Sequence, residues 1–107
     1  MVNKRIKITL VNKTCKEIEL SNVAKIEDDM FSGHSDMLKV ALPEGVLQIG
    51  RNAFEWCTSL VEVMLPESLQ QIDFEAFANC VSLKKINIPA GAQVDSTAFQ
   101  NCRQLKA

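Results

Sequence analysis

The sequence predicts a single solenoid of the α/β class, in which short units stack on one another. The stretch from Leu42 to Cys57 returns 23 positions later as Leu65 to Cys80, and a looser copy runs from Ile88 to Cys102. A unit of about 23 residues cannot bury its own apolar face, whereas stacked units share one continuous core. The repetition therefore predicts the architecture before any single element is assigned.

Several columns keep their register across these copies. Each copy carries a proline, then an Ala-Phe pair, then a cysteine three residues after the phenylalanine. The columns contain Pro43, Pro66 and Pro89; Phe54, Phe77 and Phe99; and Cys57, Cys80 and Cys102. A degenerate copy spans 15–36, with Phe31 in the phenylalanine column and His34 in the cysteine column. This many matching columns indicate a true repeat.

The first segment of each unit predicts a β-strand. In 60–66 the apolar and polar residues alternate, which places Leu60, Val63 and Leu65 on one face. Pro66 has no N–H to donate and ends the ladder of the strand.

The second half of each unit has a different pattern. The segment 75–80, Glu-Ala-Phe-Ala-Asn-Cys, resembles one helical turn that directs Ala76, Phe77 and Cys80 inward. One strand and one helical turn per unit give the α/β class.

Residues 1–14 fall outside the repeat and predict a cap. Ile6, Ile8 and Leu10 alternate with polar residues, and Asn-Lys-Thr then turns the chain. We expect a capping strand that forms a hairpin with the first repeat strand, because an uncovered solenoid end exposes core.

The columns resemble the BspA-like (Treponema-type) leucine-rich repeat, whose unit is LxxLxLPxxLxxIxxxAFxxC. The resemblance covers 15–105 and implies a right-handed solenoid of about four coils with a parallel sheet on its concave face. We divide the single domain into the cap, a degenerate repeat and three full repeats, followed by the start of another. The boundaries are 1–14, 15–36, 37–59, 60–82, 83–104 and 105–107. The resemblance also implies a bacterial protein with adhesion or host-contact roles, although the same repeat occurs in protists.

Composition and charge exclude several classes of function. The formal net charge is −1, so the chain lacks the positive charge that nucleic acid or an anionic membrane surface attracts. No apolar run approaches the roughly 20 residues of a membrane span. We expect no cofactor and no metal, since no phosphate loop or C-x-x-C pair is present. The chain shows no signal peptide, which favours the inside of a cell, whereas the resemblance allows the cell surface.

Cysteine and histidine are the residues with the greatest potential for chemistry. We expect the repeat cysteines to be buried, unreactive thiols without disulfides, because equivalent side chains on stacked coils run parallel. His34 is the single histidine and has no catalytic constellation around it in the sequence. We interpret it as structural, with an enzyme centred on His34 as the less favoured alternative.

The variable, outward-facing positions of the repeat strands predict a contact surface on the concave face. Read across four strands, one outward column contains Glu17, Lys39, Glu62 and Lys85, whose charges alternate in sign. Apolar members of the neighbouring columns form a patch with a polar rim, which suggests a protein contact, although scattered exposed apolar side chains are normal. The predicted binding residues are Leu38, Lys39, Ala41, Val61, Glu62, Met64, Lys85 and Asn87.

Two further features carry weaker predictions. Trp56 and Phe74 stand where the other copies have small or polar residues. They either form a second contact surface or pack against neighbouring loops of the same chain, and we favour the packing. At the C-terminal side, Leu105 begins another coil, so copies could stack end to end. We predict a non-catalytic protein-interaction module with an unknown protein partner. The alternative is a structural fragment that self-associates through that end or through the concave patch.

Overall fold

The computed structural model describes residues 5–20 and 24–105, and within them nine strands form two sheets. The strands are β1 (Arg5–Leu10), β2 (Cys15–Glu19), β3 (Lys25–Ile26), β4 (Met37–Ala41), β5 (Gln48–Ile49), β6 (Glu62–Met64), β7 (Gln71–Ile72), β8 (Lys85–Ile86) and β9 (Gln93–Val94). The first sheet has the order β2-β1-β4-β6-β8, and the second has the order β3-β5-β7-β9.

Each full repeat contributes one strand to each sheet, and equivalent residues stand side by side. In the first sheet β4, β6 and β8 are parallel, with Val40 beside Val63 and Val63 beside Ile86. In the second sheet Ile49 lies beside Ile72 in the same way. These apolar columns point into the space between the sheets and form one core. The parallel sheet and the stacked repeats predicted from the sequence are confirmed, while handedness, coil number and repeat boundaries stay predictions.

The N-terminal segment forms the predicted hairpin, but its place in the sheet differs from the expectation. β1 pairs antiparallel with β2, as predicted, and its other edge pairs antiparallel with β4. β1 therefore lies between the first repeat strand and the second. The prediction that the outward columns run unbroken across four repeat strands is wrong at this point. Glu17 stands beside Lys7 of β1 instead of Lys39.

The segments that follow β5 and β7, such as 50–59 and 73–82, differ from the predicted helical turn. They consist of successive turns, and no residue in the described ranges is helical. Their backbone groups bond from coil to coil, as Phe54 N–H does to the Ala76 carbonyl at 2.7 Å. Alternate N–H groups instead bond within the segment to the carbonyl three residues earlier, as Glu55 N–H does to the Asn52 carbonyl at 3.2 Å. A neighbouring coil therefore supplies half of the partners that a helix would find within itself.

A stack of phenylalanine rings forms the centre of the core. Neighbouring ring centroids are 5.2 Å apart for Phe31 and Phe54, 5.0 Å for Phe54 and Phe77, and 5.3 Å for Phe77 and Phe99. The last two ring pairs are nearly parallel, with interplanar angles of 1° and 4°. One phenylalanine per unit thus joins every coil to the next.

Gly50 shows how contact with a neighbouring coil restricts the residue type at one position. A Cβ at this position would lie 2.8 Å from the Ile26 carbonyl oxygen and closer still to the Asp28 carboxylate. That carboxylate accepts a hydrogen bond from the Arg51 N–H at 2.8 Å. The equivalent residues Asp73 and Asp95 have side chains, so glycine is needed only where Asp28 occupies the space.

Candidate functional site: the outer face of the first sheet

The outer face of the first sheet carries five side chains of its parallel strands: Lys39 and Ala41 of β4, Glu62 and Met64 of β6, and Lys85 of β8. Lys39 lies beside Glu62, which lies beside Lys85, and Ala41 lies beside Met64. Met64 is the most exposed large apolar side chain described, with 58% of its surface in contact with solvent. Its strand, β6, pairs in parallel with β4 on one side and with β8 on the other. The sheet therefore presents one apolar side chain on a rigid support.

A row of charged side chains crosses this face two residues before Met64. The Lys39 ammonium lies 3.7 Å from a Glu62 carboxylate oxygen, and both side chains remain partly exposed. Lys85 extends the row but has no ion pair with any residue in 5–20 or 24–105. The predicted alternation of sign is thus present across β4, β6 and β8. Exposed pairs of this kind are worth about 0–1 kcal/mol, so they favour register and solubility over stability.

Three of the predicted binding residues are less available than expected. Leu38, Ala41 and Val61 are half-buried, and Val61 precedes the first residue of β6. Only Ala41 lies beside Met64. Leu38 and Val61 lie three residues earlier in their repeats, where the Val61 N–H donates to the Leu38 carbonyl at 2.8 Å. The patch is therefore centred on one residue.

Asn87 has a structural role that its sequence column did not reveal. Its side-chain oxygen accepts a hydrogen bond from Leu65 N–H at 2.8 Å, and its amide donates to the Leu65 carbonyl at 2.9 Å. The side chain thereby continues the pairing between two repeats past the end of β8. The signal available in the sequence was an amide at a position where the other repeats have Ala41 and Met64.

A shallow depression of about 490 Å³ lies on this part of the face. Met64, Lys84, Lys85 and Leu105 are among the residues that line it. The depression is open, unlike the concave and largely enclosed sites that usually bind small molecules.

Trp56 and Phe74 are also at the surface. Trp56 is 53% exposed and Phe74 is 45% exposed, and neither ring stacks on another aromatic ring of the described residues. Local packing therefore leaves about half of each side chain uncovered. Trp56 also has a left-handed backbone with a φ of 63°, in the column occupied by Gly33, Asn79 and Asn101. For a bulky residue this conformation is unusual.

The repeat cysteines are buried, as predicted, and they connect coils. Each thiol donates to the carbonyl of the phenylalanine one coil earlier, at 3.2 Å for Cys57 and 3.1 Å for Cys80 and Cys102. Hydrogen bonding with the thiols of Cys102 and Cys57, and then burial, raises the pKa of the Cys80 thiol. A thiol whose pKa is raised forms little of the reactive thiolate. Cys15, in contrast, is exposed on β2.

His34 lies at the surface of the described structure. The His34 ring packs edge-on against Phe31 with 5.7 Å between centroids, and the residue is exposed. Within 5–20 and 24–105, no three His, Cys, Asp or Glu side chains converge as metal ligands would. Across the same residues, no helix has the length and apolar character needed to cross a membrane.

Comparison of the chain with known protein families identifies the type of its repeat. The BspA type leucine-rich repeat region matches residues 9–106 in six copies. The chain belongs to this leucine-rich repeat family. No curated protein matches the chain.

Solved leucine-rich repeat proteins have the same fold. One from Bacteroides ovatus is 38% identical with a TM-score of 0.75, over 78% of this chain and 22% of that one. The Treponema pallidum leucine-rich repeat protein is 36% identical with a TM-score of 0.59, over 64% of this chain and 35% of that one. A third, from Bacteroides capillosus, is 33% identical with a TM-score of 0.66, over 92% of this chain and 65% of that one. The chain thus spans less than two thirds of the length of each.

Proposed function

We propose that this leucine-rich repeat chain is a non-catalytic protein-interaction module that binds its partner on the outer face of the first sheet. The observation that carries the proposal is Met64, a flexible and exposed apolar side chain on β6, a strand held between β4 and β8. An exposed apolar centre with a polar rim is typical of protein contacts. Methionine adapts its shape to a partner at little cost.

The other predicted binding residues have graded roles in this proposal. Lys39, Glu62 and Lys85 form the charged rim, which selects partners and speeds encounter more than it adds affinity. Ala41 provides half-buried apolar surface beside Met64, and Leu38 and Val61 provide it at the other end of the same strands. Asn87 shapes the face through its hydrogen bonds to the backbone of Leu65.

The test is capture of partners from a cell extract on three matched baits. The baits are the wild-type chain, Met64→Asp and Gln93→Asp, the last being an exposed position on the second sheet. We expect proteins that the wild type and Gln93→Asp retain to be lost from Met64→Asp. If all three baits retain the same proteins, the outer face of the first sheet is not the binding surface.

The location of the protein and the nature of its partner belong to the same proposal. The family allows a cell-surface role, and the buried thiols would serve equally well in a reducing compartment, since none needs a disulfide to hold its place. A second copy of the chain is the alternative partner. Exposed apolar side chains in the last repeat, Ile88 and Val94, support that alternative.

A further inference from the structure

The turn between β1 and β2 contains the sequence Asn-Lys-Thr. Asn12 is the only asparagine of the chain that has a serine or threonine two residues later. Asn-x-Ser/Thr, where x is not proline, is the sequence at which secreted proteins receive N-linked oligosaccharides. A motif of three residues is a weak signal by itself, so the inference depends on how the structure presents this turn.

The turn closes the hairpin of β1 and β2 and is open to solvent. Leu10 N–H donates to the Thr14 carbonyl at 2.9 Å, and Lys13 N–H donates to the Leu10 carbonyl at 2.8 Å. Lys13 has a left-handed backbone with a φ of 73°, as is common in three-residue hairpin loops. Every residue in 11–15 is exposed. An enzyme can therefore reach Asn12 in the folded chain.

The two defining side chains of the motif contact each other. The Asn12 Oδ1 accepts a hydrogen bond from the Thr14 N–H at 3.0 Å and another from the Thr14 hydroxyl at 2.6 Å. The Asn12 Nδ2 donates to no residue in 5–20 or 24–105. The oxygen is thus held by the turn, whereas the nitrogen is left to solvent.

The turn has no need of this amide nitrogen. Aspartate forms the same side-chain turn as asparagine, so a carboxylate at position 12 would accept both hydrogen bonds from Thr14. Elsewhere in the fold the asparagine nitrogens are used, since those of Asn52, Asn87 and Asn101 each donate a hydrogen bond. What asparagine adds at position 12 is the nitrogen, which is the atom that N-glycosylation modifies.

We propose that Asn12 is a site of N-glycosylation. The substrate is an oligosaccharide that a lipid carries as a pyrophosphate ester, and the Asn12 amide nitrogen attacks its anomeric carbon. The new carbon–nitrogen bond replaces the bond from that carbon to the pyrophosphate oxygen. The lipid pyrophosphate leaves with the electron pair, and a base of the transferase takes the proton from the nitrogen. The fold supplies an exposed nitrogen two residues before a positioned hydroxyl.

A glycan on this turn leaves the proposed binding surface free. Val11 N–H donates to the Asp36 carbonyl at 2.9 Å, which places the turn beside the residue that precedes β4. Met64 stands beside Ala41, the last residue of β4. The glycan and the partner therefore contact opposite ends of the first sheet. The inference goes beyond the proposed function and assigns the chain to the secretory route, where N-glycosylation takes place.

The first experiment offers the folded chain to an oligosaccharyltransferase in vitro with a lipid-linked oligosaccharide. The acceptors are the wild type, Asn12→Asp, Thr14→Val and Thr14→Ser, with the peptide 8–16 as an unfolded reference. We expect the wild type to gain the mass of one oligosaccharide and to lose it again to peptide-N-glycosidase. Thr14→Ser should keep the modification, while Asn12→Asp and Thr14→Val should not be modified. A wild type that is not modified, or modification of the peptide alone, would overturn the proposal.

Asn12→Asp is the matched control because it keeps the oxygen that the turn uses. Its circular dichroism spectrum and unfolding temperature should equal those of the wild type, so that loss of the acceptor nitrogen is separated from loss of the turn. Unfolding of Asn12→Asp at a clearly lower temperature would show that the nitrogen has a structural role, against the argument made from the turn.

The second experiment uses the chain isolated from the cells that produce it. Mass spectrometry of the segment 8–16, before and after peptide-N-glycosidase, should show a glycan on Asn12. An unmodified Asn12 in this material would show that the proposal is wrong for the protein as it exists. Met64→Asp should remain glycosylated and Asn12→Asp should retain the captured partners, so failure of this proposal and failure of the proposed function are distinguishable.

Discussion

The third and fourth repeats follow the same apolar pattern but differ in burial. In the third repeat Leu65 is 5% exposed and Ile72 is fully buried. The equivalent residues of the fourth repeat, Ile88 and Val94, are 42% and 39% exposed. The third repeat has described coils on both sides, whereas the fourth has one on a single side. The core of this fold is therefore a property of neighbouring coils and not of the individual unit, as expected for a solenoid.

The phenylalanine stack shows the same difference. Phe77 is fully buried between the rings of Phe54 and Phe99. Phe99 stacks on Phe77 alone and is only half-buried. Phe77 and Phe99 are therefore a matched pair: the same residue in the same column, with a stacked ring on both faces of Phe77 and on one face of Phe99.

Truncation of this pair is expected to give the largest effect. Phe77→Ala should lower the free energy of unfolding by about 3–5 kcal/mol, because a buried ring is replaced by a cavity. Phe99→Ala should cost roughly half as much, since one face of its ring has no partner among the described residues. Urea denaturation monitored by circular dichroism measures both.

Phe77→Leu serves where Phe77→Ala is too unstable to fold, since it keeps most of the apolar volume. It should still cost more than Phe99→Leu. Equal losses for the two positions would mean that burial by the neighbouring coil does not decide stability here.

A comparison with a smaller expected effect uses the same substitution at two isoleucines that occupy different columns of the repeat. Ile72→Val should lower the free energy of unfolding by about 0.5–1.5 kcal/mol, the usual cost of a buried methylene. Ile88→Val removes the same group from a side chain that is 42% exposed, so we expect a change close to zero. Thermal unfolding at several protein concentrations checks both values. A cost at Ile88 that grows with concentration would instead indicate that a second copy covers this residue.

Trp56 is expected to show a stabilising substitution. A left-handed backbone costs most residues about 1–2 kcal/mol, and asparagine tolerates it better than tryptophan does. Trp56→Asn copies Asn79 and Asn101 of the later repeats and should raise the free energy of unfolding by up to about 1 kcal/mol. Trp56→Val should lower it, because a β-branched residue fits this backbone poorly. Losses of equal size in both variants would show that the ring itself stabilises the fold.

The sequence correctly predicted which repeat residues are buried. It did not predict strand pairing where the same pattern is compatible with more than one neighbouring strand. Phe77, Cys80 and Ile72 recur at fixed positions, so their burial follows from the repeat alone. The alternation of Ile6 and Ile8 predicts a strand and its inner face, but it is equally compatible with β1 outside β2 or between β2 and β4. Pairing of that strand is decided by tertiary contacts, which leave no periodic signal in the sequence.

The candidate site was predicted to a similar extent. The row of Lys39, Glu62 and Lys85 followed from strand positions, and the structure places these residues side by side. Which apolar residue projects could not be read from the columns, because Leu38 and Met64 are both apolar and differ only in how far neighbouring coils cover them.

The smallest expected effect comes from a turn in the fourth repeat. In the third repeat the Asp73 carboxylate accepts hydrogen bonds from Gln71 at 2.5 Å and from Gln48, one coil earlier, at 2.7 Å. In the fourth repeat Asp95 accepts from the Thr97 hydroxyl at 2.6 Å and from the Thr97 N–H at 2.8 Å. The hydroxyl first, and then the backbone N–H, lowers the pKa of Asp95 below its ordinary value of 3.8.

The sign of the pH effect follows from this lowered pKa. The ionised carboxylate stabilises the folded chain above pH 3.8, and this contribution is lost as the pH falls through the pKa of the folded state. Thr97→Val removes the hydroxyl, so the pKa of Asp95 should rise toward 3.8, as a carboxyl NMR titration will show. The Thr97 hydroxyl also accepts a hydrogen bond from Glu75 N–H at 3.0 Å, and loss of that contact lowers stability at every pH. Only the part of the change that disappears below pH 3.8 therefore belongs to Asp95, and an unchanged pKa in the variant would show that the backbone N–H alone holds this carboxylate.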